Sequence, residues 1–515
     1  MASRVLGLAR DTLFFSLFGA SVIGEAFLLA FTLPNLFRRM LGEGTLSSAF
    51  IPVFAETKAK KSLRAAQTLM NKVVSRLIVS LAFLSFLVVL SSYFGVVGNW
   101  FSSEKWIWGA VFNGISFSYV IFICSSAILI GALNTKGSFF AGAFSPTILN
   151  LMIISTLGIL GFGMGLEEKK LAIGLSISVL LAGSLQFLLP FFQLRITEGW
   201  RWKMDLAGSE EMDKIRSLFW VGALGAAISQ INVLISRFLA YSLDEPGGVS
   251  YLFLSSRLIE LPLGVFAIAV STVLFPELAK KARVADRSQF MESFFYGLRM
   301  ILIITMPAAV GLALLAEPIL SVLFKWGQFG HREVMEAVPV LTVSCLGLPL
   351  YAISAFMIKA FHSQKQMVHP LRAALISLVS NLILSLLLMG EFGVIGLAFA
   401  NVLAAFLQTV FLIVMTKRFG FYELFKIRPL YFLPILSSSA LMAIVLVLLS
   451  DWMQLPQNKA SKILELLIQI PVGILIYCLS AYLIGLPELK KLCLLYTSDA
   501  ADEGFRCRSR WSPYH

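Results

Sequence analysis

The sequence predicts an all-α polytopic membrane protein with about 14 transmembrane helices, in two six-helix lobes related by a parallel repeat plus two C-terminal helices. The first observation is composition: 58% of the 515 residues are hydrophobic and only 14% are charged, against about 45–50% and about 25% in soluble domains. The second is a series of apolar segments long enough to cross a bilayer, and the third is an internal repeat. Five cysteines in a chain of this length exclude a disulfide scaffold.

The spans follow from apolar runs interrupted by charged or Gly/Pro-rich stretches. In chain order they are predicted at 1–20, 24–56, 66–97, 107–133, 139–165, 170–195, 214–242, 248–280, 292–324, 334–361, 369–390, 394–416, 430–451 and 462–486. None alternates with the period of two that marks a membrane strand. The second span contains Pro34 and Pro52, and the eighth contains Pro262 and Pro276, so we expect both helices to kink or break.

The orientation follows from the loops. With the N-terminus inside, Lys and Arg are about three times as frequent in the predicted cytoplasmic loops as in the opposite ones. This bias predicts that both termini are cytoplasmic. It also explains most of the formal net charge of +13, which in a soluble protein would suggest a nucleic-acid partner.

Two pairs of segments match at a nearly constant offset. Residues 174–195 align with 396–417 at 222 residues, pairing Gln186 with Gln408, and residues 47–55 align with 271–279 at 224 residues. One repeat holds six spans, so both copies enter the membrane in the same direction, as in a transporter with substrate between two lobes. The predicted organisation is an N-lobe at 1–196, a cytoplasmic linker at 197–213, a C-lobe at 214–418, two further spans at 419–490 and a non-native tail at 491–515.

Ionisable side chains within spans are expensive and mark functional sites. Those predicted here are Arg4, Arg10, Asp11, Glu25, Arg38, Arg39, Glu43, Arg237, Arg257, Glu260 and Lys359. We expect Arg10, Arg38 and Arg257 to build a cationic cavity between the lobes, because guanidinium groups bind phosphate bidentately and stay charged. Alternatively, these charges are structural, and Arg39–Glu43 and Arg257–Glu260 are ion pairs that hold helices in place. We prefer the structural interpretation for Arg39 and Arg237.

Three segments carry a family resemblance. RVLGLARD (4–11), EAFLLAFTLPNLFRRMLGEGTLSSAFIPVFAE (25–56) and SRLIELPLGVFAIAVSTVLFPELAK (256–280) resemble the MurJ/MviN lipid II flippases, which belong to the multidrug, oligosaccharidyl-lipid and polysaccharide exporter superfamily. The resemblance implies transfer of lipid II from the inner to the outer leaflet of the bacterial inner membrane by alternating access. It implies a lipid-tail groove on the last two spans. The implied functional arginines are Arg4, Arg10, Arg38 and Arg257, with Asp11 as an acidic partner and Glu43 as a gate residue. We add Asn35 as a substrate-binding residue, and Glu25, Arg39 and Glu260 as gating or ion-pair residues.

The sequence departs from the family pattern at several positions. Glu25 replaces the usual aspartate. The sodium site of some members maps to Asn381, Ser236 and Ser385, where two serines stand for carboxylates, so a sodium ion and the membrane potential are both open as the energy source. At the tail, CLLYTSDAADE resembles translated adaptor sequence.

The remaining function classes find little support. The histidines show no metal-ligand spacing and the phosphate-binding loop GxxxxGK[ST] is absent, so we expect no enzyme and no built-in ATPase. The alternatives are an exporter of another lipid-linked oligosaccharide or a multidrug exporter of the same superfamily. The expected partners are lipid II and membrane lipids, with no nucleic acid, and the expected state is a monomer.

Overall fold

A computed structural model describes residues 2–101, 103–264, 287–364, 366–418, 432–453, 456 and 458–486, and these residues form helices and connecting turns with no strand. The first helices are α1 (Ala2–Phe18), α2 (Val22–Phe37), α3 (Leu46–Lys60), α4 (Leu63–Val97), α5 (Glu104–Ser116), α6 (Tyr119–Asn134), α7 (Phe140–Thr156) and α8 (Glu168–Glu198). The others are α9 (Glu210–Ser242), α10 (Gly248–Pro262), α11 (Arg287–Leu314), α12 (Ala316–Phe324), α13 (His331–Ser363), α14 (Val368–Arg418), α15 (Leu433–Met453) and α16 (Lys459–Leu483).

Each of the fourteen predicted spans coincides with helix in the part of the chain that the structure describes. Within the described residues, ten helical segments are long and apolar enough to cross a membrane, and one of them joins α5 to α6. Another of them, α14, contains two predicted spans. The helix is interrupted between these spans at Gly393, which takes a non-helical conformation (φ 53°, ψ −131°). The chain is therefore a multi-pass membrane protein. The first and second predicted spans are not among the ten, and they carry most of the candidate charges. The eighth predicted span continues past residue 264, outside the described residues.

The second span changes helix type rather than simply bending. Pro34 lies inside α2, and the backbone then forms a π-helix over Arg38–Thr45 before α3 resumes the α-helical form. Proline lacks an N–H group, and in the following turn the N–H of Arg38 is shared between the carbonyls of Pro34 and Asn35. Pro52 lies within the bounds of α3. Pro262 is the last residue of α10, and Pro276 lies outside the described residues.

The helices form two compact units, the first made of residues 1–254, 323–337 and 374–404. Its core includes Phe50, Met70 and Leu129. It also contains the fully buried Trp200, whose indole N–H donates to Asn71 Oδ1 at 2.9 Å. At the turn before α4, Lys61 donates to Glu211, and this contact raises the pKa of Lys61.

The second unit contains residues 255–322, 338–373 and 405–515. Phe294 and Phe356 form part of its core. The last two helices, α15 and α16, pack against α11, where the hydroxyl of Tyr477 donates to the carbonyl of Ile303 at 2.7 Å. These units group segments that are distant along the chain, so the predicted lobe boundaries at 196 and 214 stay a prediction. The predicted tail at 491–515 lies outside the described residues.

Candidate functional site

Helix α1 carries a buried charge cluster. The guanidinium of Arg10 donates to Asp11 Oδ1 from Nη2 at 2.5 Å and from Nε at 2.9 Å. Its Nη1 donates to Asn150 Oδ1 on α7 at 3.2 Å, and Asn150 in turn donates to the carbonyl of Ser3. Arg10 and Asp11 are 8% and 4% exposed. The cluster joins α1 to α7, and charge-assisted hydrogen bonds of this kind offset the cost of burying the cation.

Asn150 is the member of this cluster that sequence reasoning missed. It is a neutral residue in the fifth predicted span, whereas the candidates predicted from the cost of charge within a membrane were all ionisable. The signal that could have identified Asn150 is its side-chain amide within an apolar helix, because such an amide needs a hydrogen-bonding partner inside the protein. Arg4, one turn and a half before Arg10, is exposed.

The π-helix presents the next candidates. Arg38 begins it, and the side-chain Nε of Arg38 donates to Asn35 Oδ1 at 2.9 Å. The two residues lie in the LPNLFRR block and are both half-buried. Wide turns of this type are rare and occur frequently at functional sites. Arg39 is also half-buried, whereas the side chain of Glu43 lies outside the described residues, so the expected Arg39–Glu43 pair stays a prediction.

Glu25 lies fully buried near the start of α2 and acts as a cap for a distant helix. Its Oε1 accepts from the backbone N–H groups of Val249 at 2.6 Å and Ser250 at 3.4 Å, at the beginning of α10. Its Oε2 lies 3.3 Å from the ammonium of Lys105. A carboxylate at a helix N-terminus binds the otherwise unpaired N–H groups and the positive end of the dipole. Glu25 therefore ties α2 to the N-terminal end of α10 within the first unit.

Lys105 lies between the third and fourth predicted spans, and it is central to this network. Its ammonium also donates to the carbonyl of Leu243 and lies 4.6 Å from the ring centroid of Tyr241. The sequence around Gly247 and Gly248 offers one clue to the arrangement. Gly247, directly before α10, has no side chain that could accept from the first N–H groups of the helix, and the Glu25 carboxylate accepts from them instead.

The second unit holds Arg257 and Glu260 on α10. Nη1 of Arg257 lies 3.4 Å from Glu260 Oε2, the i,i+3 contact expected from their spacing, and both side chains are partly exposed. Arg237 belongs to the first unit and is bound there by Thr32 Oγ1 at 2.6 Å and the ring of Phe253. These contacts agree with the structural interpretation that we preferred for Arg237.

The residues mapped to a sodium site form a hydrogen-bonded cluster of neutral side chains in the first unit. The Nδ2 of Asn381 donates to Asn232 Oδ1 at 2.8 Å and to Ser236 Oγ at 2.9 Å. The Oγ of Ser236 donates to Asn401 Oδ1 at 3.1 Å, and the Oγ of Ser385 to Asn381 Oδ1 at 3.3 Å. Asn381 and Ser385 are fully buried.

This donor set does not fit a sodium ion. A buried cation requires compensating charge, and the five side chains carry none. Four of their five side-chain oxygens already accept a hydrogen bond from another member, so a cation would have only the remaining lone pairs as ligands. Among the described residues, no group of three or more His, Cys, Asp and Glu could hold a metal ion either.

Comparison with known proteins gives consistent matches over most of the chain. The sequence model of the family described as lipid II flippase MurJ matches residues 14–468. A probable lipid II flippase MurJ from Vibrio cholerae is 33% identical over 430 residues, covering 80% of each chain. That from Haemophilus influenzae is 32% identical over 466 residues, covering 86% of this chain and 89% of the relative.

The solved structures agree with the sequence matches. A structure of lipid II flippase MurJ in an inward closed conformation has a TM-score of 0.77 and 28% identity, covering 94% of this chain and 96% of that one. An inward-facing multidrug transporter of the MATE family and MOP superfamily has a TM-score of 0.65 at 14% identity, a similarity of fold alone. Together with the family match over residues 14–468, these findings establish that the chain belongs to the MurJ family of lipid II flippases.

Proposed function

We propose that this protein moves lipid II, the undecaprenyl-diphosphate-linked peptidoglycan precursor, from the inner to the outer leaflet by alternating access. The observation that carries the proposal is the charged cluster of Arg10, Asp11 and Asn150 inside an apolar helical unit, in a chain of the flippase family. A permanently charged guanidinium in a membrane helix costs free energy, so its presence there indicates a role in substrate binding or in the transport cycle. Transport, rather than a chemical reaction, is the activity that this arrangement supports.

The substrate chemistry matches the residue types. A lipid-linked diphosphate is anionic, and the arginine fork binds phosphate oxygens bidentately. We propose that Arg4, Arg10, Arg38 and Arg257 bind the diphosphate during the cycle, that Asp11 and Asn35 orient Arg10 and Arg38, and that Glu25, Arg39, Glu43 and Glu260 exchange partners as the protein changes state. A long prenyl chain is itself soluble in the bilayer, so only the head group needs a polar route.

The location and energy source belong to the same proposal. The protein acts in the bacterial inner membrane as a monomer, with both termini cytoplasmic as the bias of Lys and Arg indicates. We propose the membrane potential, which acts on charged groups moving through the field, as the energy source, because the Asn381 cluster does not suit a sodium ion. The 14% identity to the MATE transporter concerns the fold and gives no support to drug export.

A flipping assay tests the proposal. Bacteria depleted of their own flippase receive this chain, and lipid II on the outer surface of spheroplasts is measured with a membrane-impermeant enzyme that cleaves it. Wild type should restore growth and outer-surface lipid II. Arg10→Ala should abolish both at normal expression, whereas Arg216→Ala should have no effect, because Arg216 forms an exposed i,i+3 pair with Asp213. Full rescue by Arg10→Ala would refute the proposed role of the cluster.

A further inference from the structure

A groove of about 670 Å³ opens in the first unit between α4, α5, α9 and the turn after α4. One side is an aromatic wall, in which the ring of Trp106 on α5 contacts the rings of Phe238 and Tyr241 on α9, with centroids 5.1 and 4.8 Å apart. Residues of α2 and two small residues of α5, Gly109 and Ala110, complete much of the lining. Most of this lining is apolar, so hydrocarbon fills the groove in preference to water.

The space exists because small residues stand where α5 faces the groove. A Cβ added at Gly109 would lie 3.1 Å from the hydroxyl oxygen of Tyr241, which is held in place because it donates to the carbonyl of Lys105. The next residue, Ala110, lines the groove with a single methyl group. A bulky side chain at position 110 would therefore occupy the volume that a ligand needs.

The groove runs inward from one membrane interface. Along α5 its lining extends from Trp106 to Asn113, seven residues or about 10 Å. Along α9 it extends over the same length from Tyr241, near the end of the helix, back to Leu234. Trp100 at the mouth is 73% exposed, as is typical of aromatic residues at a membrane interface. Half of the hydrocarbon core is about 15 Å thick, so the groove lies within one leaflet, the outer one in the orientation proposed above.

Two exposed carboxylates stand beside the mouth of the groove. Asp244 and Glu245 follow the end of α9, three and four residues after Tyr241. Lys105, whose ammonium lies over the Tyr241 ring, is already paired with Glu25. Carboxylates attract an ammonium group and repel a phosphate. The rim therefore favours a zwitterionic head group that carries an ammonium over an anionic head group.

We propose that this groove binds one acyl chain of phosphatidylethanolamine, with the ammonium of the head group beside Asp244 and Glu245. The same two carboxylates disfavour the lipid-linked substrate, because its diphosphate would approach them with like charge. The groove is thus a phospholipid site separate from the route of the substrate. An acyl chain seated there contacts both α5 and α9 and stabilises their packing.

The test measures phospholipid binding to the full-length protein, purified in detergent and stripped of lipid, by native mass spectrometry. Phosphatidylethanolamine and phosphatidylglycerol with identical acyl chains are titrated separately, and the dissociation constant of the first bound lipid is compared. We expect wild type to bind phosphatidylethanolamine about fivefold more tightly, as two exposed charge contacts allow. Ala110→Phe should weaken this binding about tenfold by filling the groove. Ala82→Phe, at an exposed position of α4 outside the groove, should bind as wild type does.

The head group is tested by the double variant Asp244→Asn/Glu245→Gln, which should bind the two phospholipids equally. Asp451→Asn changes an exposed carboxylate near the end of α15 and should keep the preference of wild type. Trp100→Ala removes an exposed side chain from the mouth and should weaken the binding of both phospholipids. It provides a second test of the groove should Ala110→Phe fold poorly.

Each outcome decides for or against the site. Unchanged phosphatidylethanolamine binding in both Ala110→Phe and Trp100→Ala overturns the proposal, as does equal binding of the two phospholipids by wild type. Displacement of bound phosphatidylethanolamine by undecaprenyl diphosphate also overturns it, because the groove would then belong to the substrate. Weaker binding in the groove variants, together with loss of the preference in the double variant, supports the proposal.

Discussion

The Glu25–Lys105 pair allows a quantitative test of how α2 is fastened to α10. Glu25→Ala removes the acceptor of two backbone N–H groups and leaves the ammonium of Lys105 without its carboxylate, although the lysine side chain is only 13% exposed. Removing one partner of a buried pair costs about 3–5 kcal/mol. We therefore expect Glu25→Ala to lower the free energy of unfolding by about 4 kcal/mol.

The reciprocal change should cost less. Lys105→Met leaves Glu25 at the N-terminus of α10, where the backbone N–H groups still stabilise its charge, so we expect a loss of about 2 kcal/mol. The double variant should lose at least ~1 kcal/mol less than the two single losses added together, since the second change no longer strands a charge.

Unfolding of the detergent-purified variants, followed by tryptophan fluorescence, gives these values. Lys169→Met is the control, because Lys169 forms an exposed ion pair with Glu104 at 2.6 Å, and such pairs contribute about 0–1 kcal/mol. Strictly additive losses in the Glu25 and Lys105 variants would refute the reasoning, as would a loss for Lys169→Met as large as that for Lys105→Met.

Three further predictions concern separate parts of the molecule. Tyr477→Phe removes the hydrogen bond to Ile303 and should lower the free energy of unfolding by about 1 kcal/mol in the same assay; an unchanged value would contradict it. Gly327 has φ +54° and its added Cβ would meet the Ser16 carbonyl, whereas Gly199 has φ +61° with open space. Gly199→Ala should thus cost about 1–2 kcal/mol and Gly327→Ala distinctly more, so equal losses would disprove the close approach. Flipping in proteoliposomes should be equal in sodium and potassium buffers and should fall when the membrane potential is collapsed; a requirement for sodium would refute the assignment of the Asn381 cluster.

The helices could be predicted from the sequence because apolar length is a local property. All fourteen spans follow from runs of hydrophobic residues, and the structure contains helix at each of them. The change of helix type after Pro34 is not local in this sense. Proline predicts a disturbance, but whether the chain kinks or widens into a π-helix depends on how Arg38 and its neighbours pack.

The partners of the charged residues were largely beyond prediction. The i,i+3 contact of Arg257 with Glu260 follows from helix geometry. The partner of Arg10 on α7 and the helix end capped by Glu25 lie 140 and 224 residues away in sequence. No periodicity connects such positions, because they become neighbours only after the helices have packed.

The buried charges of α1 and α2 explain how such a protein combines stability with transport. Residues on other helices bind the charged side chains of α1 and α2. Asn150 accepts a hydrogen bond from Arg10, and Lys105 forms an ion pair with Glu25. The insertion of α1 and α2 therefore depends on tertiary partners rather than on lipid. Partners can be exchanged during a conformational change, whereas contact with lipid cannot be made specific to one state. Helices whose charges have partners on other helices are thus suited to bind an anionic head group in one state and release it in another.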